Sequence, residues 1–209
     1  MDFADEPHPQ DIIEHDTITL SGDGDALLLV RDTSRNEQTP FLVSTGMVKS
    51  ASDVFRRLFD GDFAESRMLS KSLRPRIPLH DDDADTMAII LRILHHETEF
   101  LPEDLDLDQI ASLAIHCDKY DCVGVLRPWL LAWLTRLSPV ENDPVGVGLL
   151  ILTTYLLRTP SHFAAATSTA CKTLSPHFSE QWISNEKIHM LPDIVEGTKT
   201  VVEDDAAHS

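Results

Sequence analysis

The apolar and polar residues of the first part of the chain are arranged as they are in β-strands. "DTITL" at 16–20 alternates, "ALLLVR" at 26–31 is a continuous apolar run, and "TPFLVS" at 39–44 is a third apolar segment. The intervening "SGDGD" is typical of a tight turn with an Asp-Gly pair, so the first two segments are predicted to form a β-hairpin. A further short strand is predicted at 76–81, "RIPLHD".

Helical spacing replaces this pattern between 44 and 61, where Ser52-Asp53 indicates a cap between two short helices. The next helix is predicted in "ADTMAIILRILHHE", with Asp82 or Asp83 as its cap. It is expected to end at the pair His95-His96, because imidazole rings suit the negative end of a helix dipole.

The rest of the chain is predicted to be helical. "LDLDQIASLAIHCDKY" at 105–120 is amphipathic, and a second helix at 122–137 contains Pro128. Residues 145–178 indicate one or two helices broken at Pro160, and a short helix is expected near 179–190. Strands followed by helices predict an α+β fold.

The net charge of the chain excludes some classes of binding partner. The chain has 209 residues, with 17 Lys plus Arg against 35 Asp plus Glu and a formal net charge of −18. Nucleic acids and anionic membranes repel such a surface, so neither is expected as a partner. The expected partners are proteins. The most apolar stretch, "VGVGLLILTTYLL" at 145–157, is too short to cross a bilayer.

The start of the chain and the cysteine count indicate a compartment. "MDFADEPHPQ" has no basic segment followed by an apolar one, so no signal peptide is expected. Three cysteines, an odd number, are typical of free thiols in a reducing environment. The predicted location is cytoplasmic or nuclear.

The stretch "AIHCDKYDC" at 114–122 allows two interpretations. A zinc site would need four converging ligands, but His116 and Cys117 are adjacent on a helix and point about 100° apart. Cys117 and Cys122 are therefore interpreted as small buried residues joining two packed helices, with Asp121 capping the second helix.

The other candidate motifs are better explained as turns and helix ends than as cofactor, metal or catalytic sites. "SGDGDA" lacks the third glycine of a dinucleotide loop, and the acidic run "HDDDAD" at 80–85 favours a helix N-terminus over a cation. "LHHETE" at 94–99 lacks the order of a zinc protease motif, and the chain has no nucleophile elbow, phosphate-binding loop or kinase signature. We therefore expect no enzyme activity, no cofactor and no metal.

The order of these elements resembles the BTB/POZ domain, most closely the stand-alone BTB proteins of filamentous fungi. "GDALLLV" is similar to the second strand of that family, "FLVSTGMVKSASDVFRRLF" to its Phe-to-Phe signature, and "LAIHCDKYDCVGVLRPW" to its late helix pair. The resemblance covers roughly 17–137. It implies a BTB/POZ fold with a small, mostly antiparallel sheet and a C-terminal helical extension, in which both Cys117 and Cys122 are structural.

Residues 1–16 are acidic and contain proline, so disorder is expected there, and a flexible tail is expected at 193–209. The resemblance implies a BTB/POZ domain at 17–138, a helical cluster capped by the small sheet, followed by a helical extension at 145–192.

Three departures from the family pattern limit what is carried over. Ser44 replaces the usual histidine of the signature. Leu42 replaces the basic residue that pairs with the strand aspartate, here Asp25, in relatives with a corepressor pocket. The N-terminal segment offers only Ile12-Ile13 as apolar residues for a swapped dimer, which leaves homodimerisation open.

The resemblance implies a non-enzymatic protein–protein interaction module, acting through BTB-mediated binding or self-association. The alternative is a substrate adaptor of a cullin-based ubiquitin ligase, with a cullin scaffold as partner and a contact face over 61–76, the following strand and the start of the next helix. Exposed apolar residues mark binding patches. The candidates are Met47, Val48, Phe63, Ile77, Leu79 and Leu101, for each of which a core position is the alternative.

Overall fold

The computed structural model describes residues 17–32, 37–60, 74–140, 143–175, 178–188, 193 and 196–201. In chain order its elements are β1 (Ile18–Thr19), β2 (Ala26–Asp32), β3 (Glu37–Val43), α1 (Thr45–Ala51), α2 (Asp53–Asp60), β4 (Arg76–His80), α3 (Ala84–Leu94), a 3₁₀ helix (Thr98–Phe100), α4 (Leu107–Lys119), α5 (Val123–Leu134), α6 (Pro144–Leu156), α7 (Pro160–Thr173) and α8 (Phe178–Ile183). The predicted α+β class is confirmed. The predicted disorder at 1–16 and most of the segment 61–76 lie outside the described residues, as do residues 194–195 and 202–209 of the predicted tail.

The chain forms two compact units, Met1–Leu101 and Pro102–Ser209. The first contains the sheet and α1 to α3, and the second contains the remaining long helices. The division lies inside the segment 17–138 that the resemblance assigns to one domain.

The sheet of the first unit has the order β1-β3-β2-β4. β2 and β3 are antiparallel, whereas β1 pairs with β3 and β4 pairs with β2 in parallel. The predicted hairpin of β1 with β2 is therefore wrong, as is the expectation of a mostly antiparallel sheet. A tight turn does exist, since Gly24 N–H donates to Ser21 O at 3.0 Å, but β3 lies between the two strands that the turn connects.

The core of the first unit lies between this sheet and its helices. Its fully buried side chains include Leu28, Phe41, Phe55, Phe59, Ile77, Met87, Ile90 and Leu91. Ser52 separates α1 from α2 as predicted, because its hydroxyl accepts the Phe55 N–H at 3.0 Å and so begins the second helix. The junction turns the chain so that both helices bury apolar residues.

The acidic run before α3 is a helix cap. Asp83 Oδ1 accepts the Thr86 N–H at 2.7 Å and the Thr86 hydroxyl at 2.6 Å. This satisfies one of the free N–H groups at the helix start, and the carboxylate meets the positive end of the dipole. The choice that the sequence left between Asp82 and Asp83 is resolved in favour of Asp83, while Asp82 is buried.

The second unit begins with a capping box. The Asp106 carboxylate accepts the Gln109 N–H, and the Gln109 side chain accepts the Asp106 N–H. The predicted break at Pro160 is confirmed, because that proline is the first residue of α7. The short helix expected near 179–190 is α8, which begins slightly earlier.

The corner between α4 and α5 differs from the prediction at one residue. Asp121 does not cap α5: the N-cap is Cys122, which makes no side-chain cap bond. Asp121 instead adopts the left-handed conformation, with φ 47°, as α4 ends. The Cys122 N–H bonds back to Cys117 O at 2.9 Å, the wide hydrogen bond that closes such a helix end.

We expect Asp121→Gly to raise the free energy of unfolding by up to about 1 kcal/mol, because glycine takes the left-handed conformation without steric cost. Asp121→Ala should have a free energy of unfolding about 1 kcal/mol lower than that of Asp121→Gly. This order is the reverse of the one inside a helix, where alanine is more favourable than glycine. Urea unfolding followed by circular dichroism measures both variants. A lower stability of Asp121→Gly than of wild type would restore a capping role for the carboxylate.

Candidate protein-interaction surface

The structure separates the six candidate interface residues into three groups. Val48, Ile77 and Leu79 are buried, Met47 is 37% exposed, Leu101 is half-buried, and Phe63 lies outside the described residues. The alternative of a core position therefore applies to the first three, which corrects their assignment to the surface. Met47 and Leu101 stay candidates.

Local geometry explains this burial. In β4, side chains alternate between the two faces, so Ile77 and Leu79 lie toward the core while Arg76, Pro78 and His80 lie outward. In α1, Val48 lies on the buried face, and Met47 comes one position earlier, about 100° around the helix. The outward side of β4 is thus polar and proline-containing, which is usual for an edge strand.

A more prominent exposed apolar residue lies beside Leu101. The Phe100 side chain, in the 3₁₀ helix that follows α3, is 60% exposed. The Arg92 guanidinium lies over its ring, 4.9 Å from the ring centroid, and also bonds the Glu97 carboxylate at 3.1 Å. We call Arg92, Glu97 and Phe100 the Phe100 cluster. Stacking and the ion pair together restrain an aromatic side chain that faces solvent.

Sequence reasoning selected Leu101 and missed Phe100. Phe100 follows a polar segment, "HHETE", that has no helical or strand periodicity, so the pattern assigns it to neither core nor surface. One signal was available: aromatic side chains and arginine are the residue types most enriched at binding hot spots. Their contact across eight positions, however, depends on the turn after α3.

Asp25 has a structural role at the start of α1. Its two carboxylate oxygens accept the Thr45 N–H and the Thr45 hydroxyl, each at 2.7 Å. The residue that begins α1, Ser44, makes no side-chain cap bond, so Asp25 supplies the cap from the neighbouring strand end. Leu42 is buried and would touch a side chain added at Gly24. Asp25 thus has a structural partner in Thr45, and Leu42 supplies no basic group for a charged pocket beside it.

His95 has the other polar contact at this helix start. Its Nε2 accepts the Ser44 N–H at 3.0 Å, and its Nδ1 lies 2.7 Å from Leu91 O. These two contacts define a neutral ring with the proton on Nδ1. Burial lowers the pKa of His95 below its ordinary value of 6.5. The ring ends α3 as expected, but it is buried and neutral, so the expected favourable charge with the helix dipole is wrong.

The cysteine-rich stretch forms part of the core of the second unit. Cys117 and Cys122 are free thiols and are buried, which confirms that interpretation of the sequence. Two effects raise the pKa of the Cys117 thiol well above its ordinary value of 9.0. The larger is the hydrogen bond with the Cys122 side chain, and the second is burial. A thiol that stays protonated is a poor metal ligand and a poor nucleophile. Among the described residues, no group of three or more His, Cys, Asp or Glu side chains is arranged to hold a metal.

No model of a protein family matches the chain, and no curated protein matches its sequence. Of the helices in the described ranges, none is both long and apolar enough to span a membrane. The functional interpretation therefore depends on the residues themselves.

Proposed function

We propose that this protein is a non-enzymatic protein–protein interaction module with a BTB/POZ fold in its first part. The support for the fold is the order of elements: a small sheet, the α1–α2 pair after β3, β4 leading into α3, and then the α4–α5 pair. These occur at the segments that carry the sequence resemblance. The binding role rests on a different observation.

The observation that carries the binding role is the Phe100 cluster. A phenyl ring that is 60% exposed has given up little of its contact with water, so covering it with a partner would be favourable. Its stacking on Arg92 restrains the ring before binding and so reduces the entropy lost on association. A restrained aromatic side chain beside an arginine is the typical composition of a binding hot spot.

The alternative, an adaptor for a cullin scaffold, has less support. Part of its expected contact face was β4, whose apolar side chains Ile77 and Leu79 lie in the core. Most of the loop before β4 lies outside the described residues. The outward side chains of β4 are Arg76, Pro78 and His80, so any contact there would be mainly polar.

Sedimentation velocity on the full chain, from about 1 to about 200 µM, tests the proposal through self-association. We expect a dimer that forms with rising concentration, and a dissociation constant about tenfold or more weaker in Phe100→Ala, as for a hot-spot residue. Glu99→Ala is the matched control, because Glu99 is the exposed neighbour in the same 3₁₀ helix. Calorimetric titration with the N-terminal domain of a BTB-binding cullin is the second arm. A monomer at all concentrations that also gives no heat with the cullin domain would contradict the proposal.

A further inference from the structure

The second unit contains an open cleft of about 670 Å³ where α6 turns into α7. Its apolar wall is made by Tyr155, Leu156, Pro160 and Phe163. The residues of this cleft belong to the second unit, whereas those of the Phe100 cluster belong to the first. Its volume falls within the range of about 300–1,000 Å³ that is usual for ligand clefts.

Two aromatic rings define the cleft. Tyr155 and Phe163 come from consecutive helices, and their ring centroids are 6.0 Å apart at an interplanar angle of 53°. Tyr155 is nevertheless 50% exposed, and Phe163 is half-buried. The pair therefore offers an apolar and aromatic surface on which a further large side chain could pack.

The rim of the cleft is charged. Arg158 Nη2 lies 3.7 Å from Asp118 Oδ1 and 3.9 Å from Asp121 Oδ1, distances too long for hydrogen bonds. About half of each carboxylate side chain is exposed, 47% and 52% respectively. Both carboxylates therefore remain open to a second cationic partner.

Arg158 has an unfavourable backbone conformation for its residue type. Its φ is 55°, in the left-handed position after a helix that glycine usually occupies. The Thr159 N–H bonds to Thr154 O at 3.1 Å and so closes the helix end there. The same conformation ends α4 at Asp121, and here it places Arg158 in the lining of the cleft.

The charges around the cleft favour a ligand with positive charge. Two carboxylates face one guanidinium at the rim, which leaves one negative charge in excess. The whole chain has a formal charge of −18, which attracts cations and repels anions over a longer range. A cationic ligand would meet two half-exposed carboxylates, whereas an anionic ligand that approached Arg158 would be repelled by both of them.

We propose that this cleft binds a basic peptide segment of a partner protein. A large apolar side chain of the segment packs against Tyr155 and Phe163, and a neighbouring lysine or arginine pairs with Asp118 and Asp121. The apolar contact supplies most of the affinity and the charge pairs supply the preference for basic sequences. This activity goes beyond the proposed function, because it uses residues of the second unit.

Amide chemical-shift titration of the ¹⁵N-labelled full chain tests the proposal with three synthetic peptides. The first is Gly-Lys-Lys-Phe-Leu-Lys-Lys-Gly, the second has alanine in place of Phe-Leu, and the third has glutamate in place of every lysine. We expect the first to bind with its largest shifts between 154 and 163 and near 118–121, and the second to bind about tenfold more weakly or worse. The third should show no saturable shifts, because like charges repel at the rim.

Variants separate a specific site from general attraction to an acidic surface. Tyr155→Ala, and separately Asp118→Asn with Asp121→Asn, should each weaken the first peptide about tenfold or more. Ile183→Ala is the control, since Ile183 is 59% exposed in the same unit but outside the cleft. The circular dichroism spectrum of each variant verifies folding. Shifts spread over the whole surface, equal binding of the alanine peptide, or unchanged binding by both the Tyr155 and the aspartate variants would overturn the proposal.

Discussion

Replacement of Trp182 by alanine is expected to lower the free energy of unfolding by about 3–5 kcal/mol, the usual cost of deleting a buried aromatic side chain. Trp182 is fully buried although it belongs to the six-residue helix α8. Its indole N–H donates to Pro144 O at 2.6 Å, and its ring meets Phe178 edge to face with centroids 4.5 Å apart. Alanine would leave a large cavity and remove the donor from that carbonyl.

The backbone of α6 is shaped to receive this ring. A Cβ atom built at Gly148 would lie 2.8 Å from the Trp182 indole and 2.6 Å from Ile188. Glycine at that position lowers helix propensity but permits the close approach. The packing of the Trp182 ring against α6 thus requires a residue without a side chain at position 148.

Urea unfolding followed by far-ultraviolet circular dichroism measures the effect of Trp182→Ala. Ile183→Ala is the matched control, because the next side chain in the same helix is 59% exposed and its removal should cost less than about 0.5 kcal/mol. A loss below about 1 kcal/mol for Trp182→Ala would show that α8 does not pack as described.

Local patterns were sufficient to predict most of the helices. Periodic apolar residues and capping residues such as Asp83 and Ser52 act within a few positions, so the sequence contains the whole signal. The burial of Cys117 followed in the same way from its place on the apolar face of α4. Such features depend only on neighbours along one helix.

Pairing between strands could not be predicted in the same way. The turn at 21–24 was recognised, but whether β2 pairs with β1 or with β3 depends on which pairing buries more apolar surface across the whole unit. β3 takes the position between them, where Pro40, Phe41, Leu42 and Val43 are all buried. A two-residue strand such as β1 is too short to decide its own partner.

The candidate sites show the same limit. The apolar residues of β4 looked like interface residues because a short strand gives no indication of which face is covered, and the structure buries Ile77 and Leu79. The cleft and the Phe100 cluster are each formed by residues separated by a helix turn or a corner. Tyr155 and Phe163 meet because α6 ends at Leu156 and Pro160 begins a new helix that returns Phe163 to the Tyr155 ring.

Acidification is expected to destabilise the protein through His95. The ring is buried, and burial of the charged form is the main reason that the pKa of His95 lies below 6.5; Leu91 O and the Glu97 carboxylate act in the opposite direction, and His96 adds to the lowering. The unfolded chain therefore binds a proton at a pH where the folded chain does not. Stability is then complete above about pH 6.5 and falls as the pH decreases toward the folded pKa, by at most about 1.4 kcal/mol per pH unit from this group.

The hydrogen bonds of His95 also predict that acid lowers the stability of the fold. The neutral ring accepts the Ser44 N–H at Nε2 and contacts Leu91 O through Nδ1, so it connects the start of α1 to the end of α3. A protonated ring has hydrogen on both nitrogens and cannot accept the Ser44 N–H. Acid would leave that backbone donor without its acceptor and bring two donors together, at a cost of about 1–3 kcal/mol.

Unfolding free energies measured in urea between about pH 7 and pH 5 test this origin. His95→Gln retains an oxygen that can accept the Ser44 N–H but does not titrate, so its stability should fall less steeply with acid than that of wild type. His96→Gln is the matched control: the neighbouring ring is exposed, and its replacement should leave the wild-type slope almost unchanged. Parallel curves for wild type and His95→Gln would show that the acid sensitivity does not originate at His95.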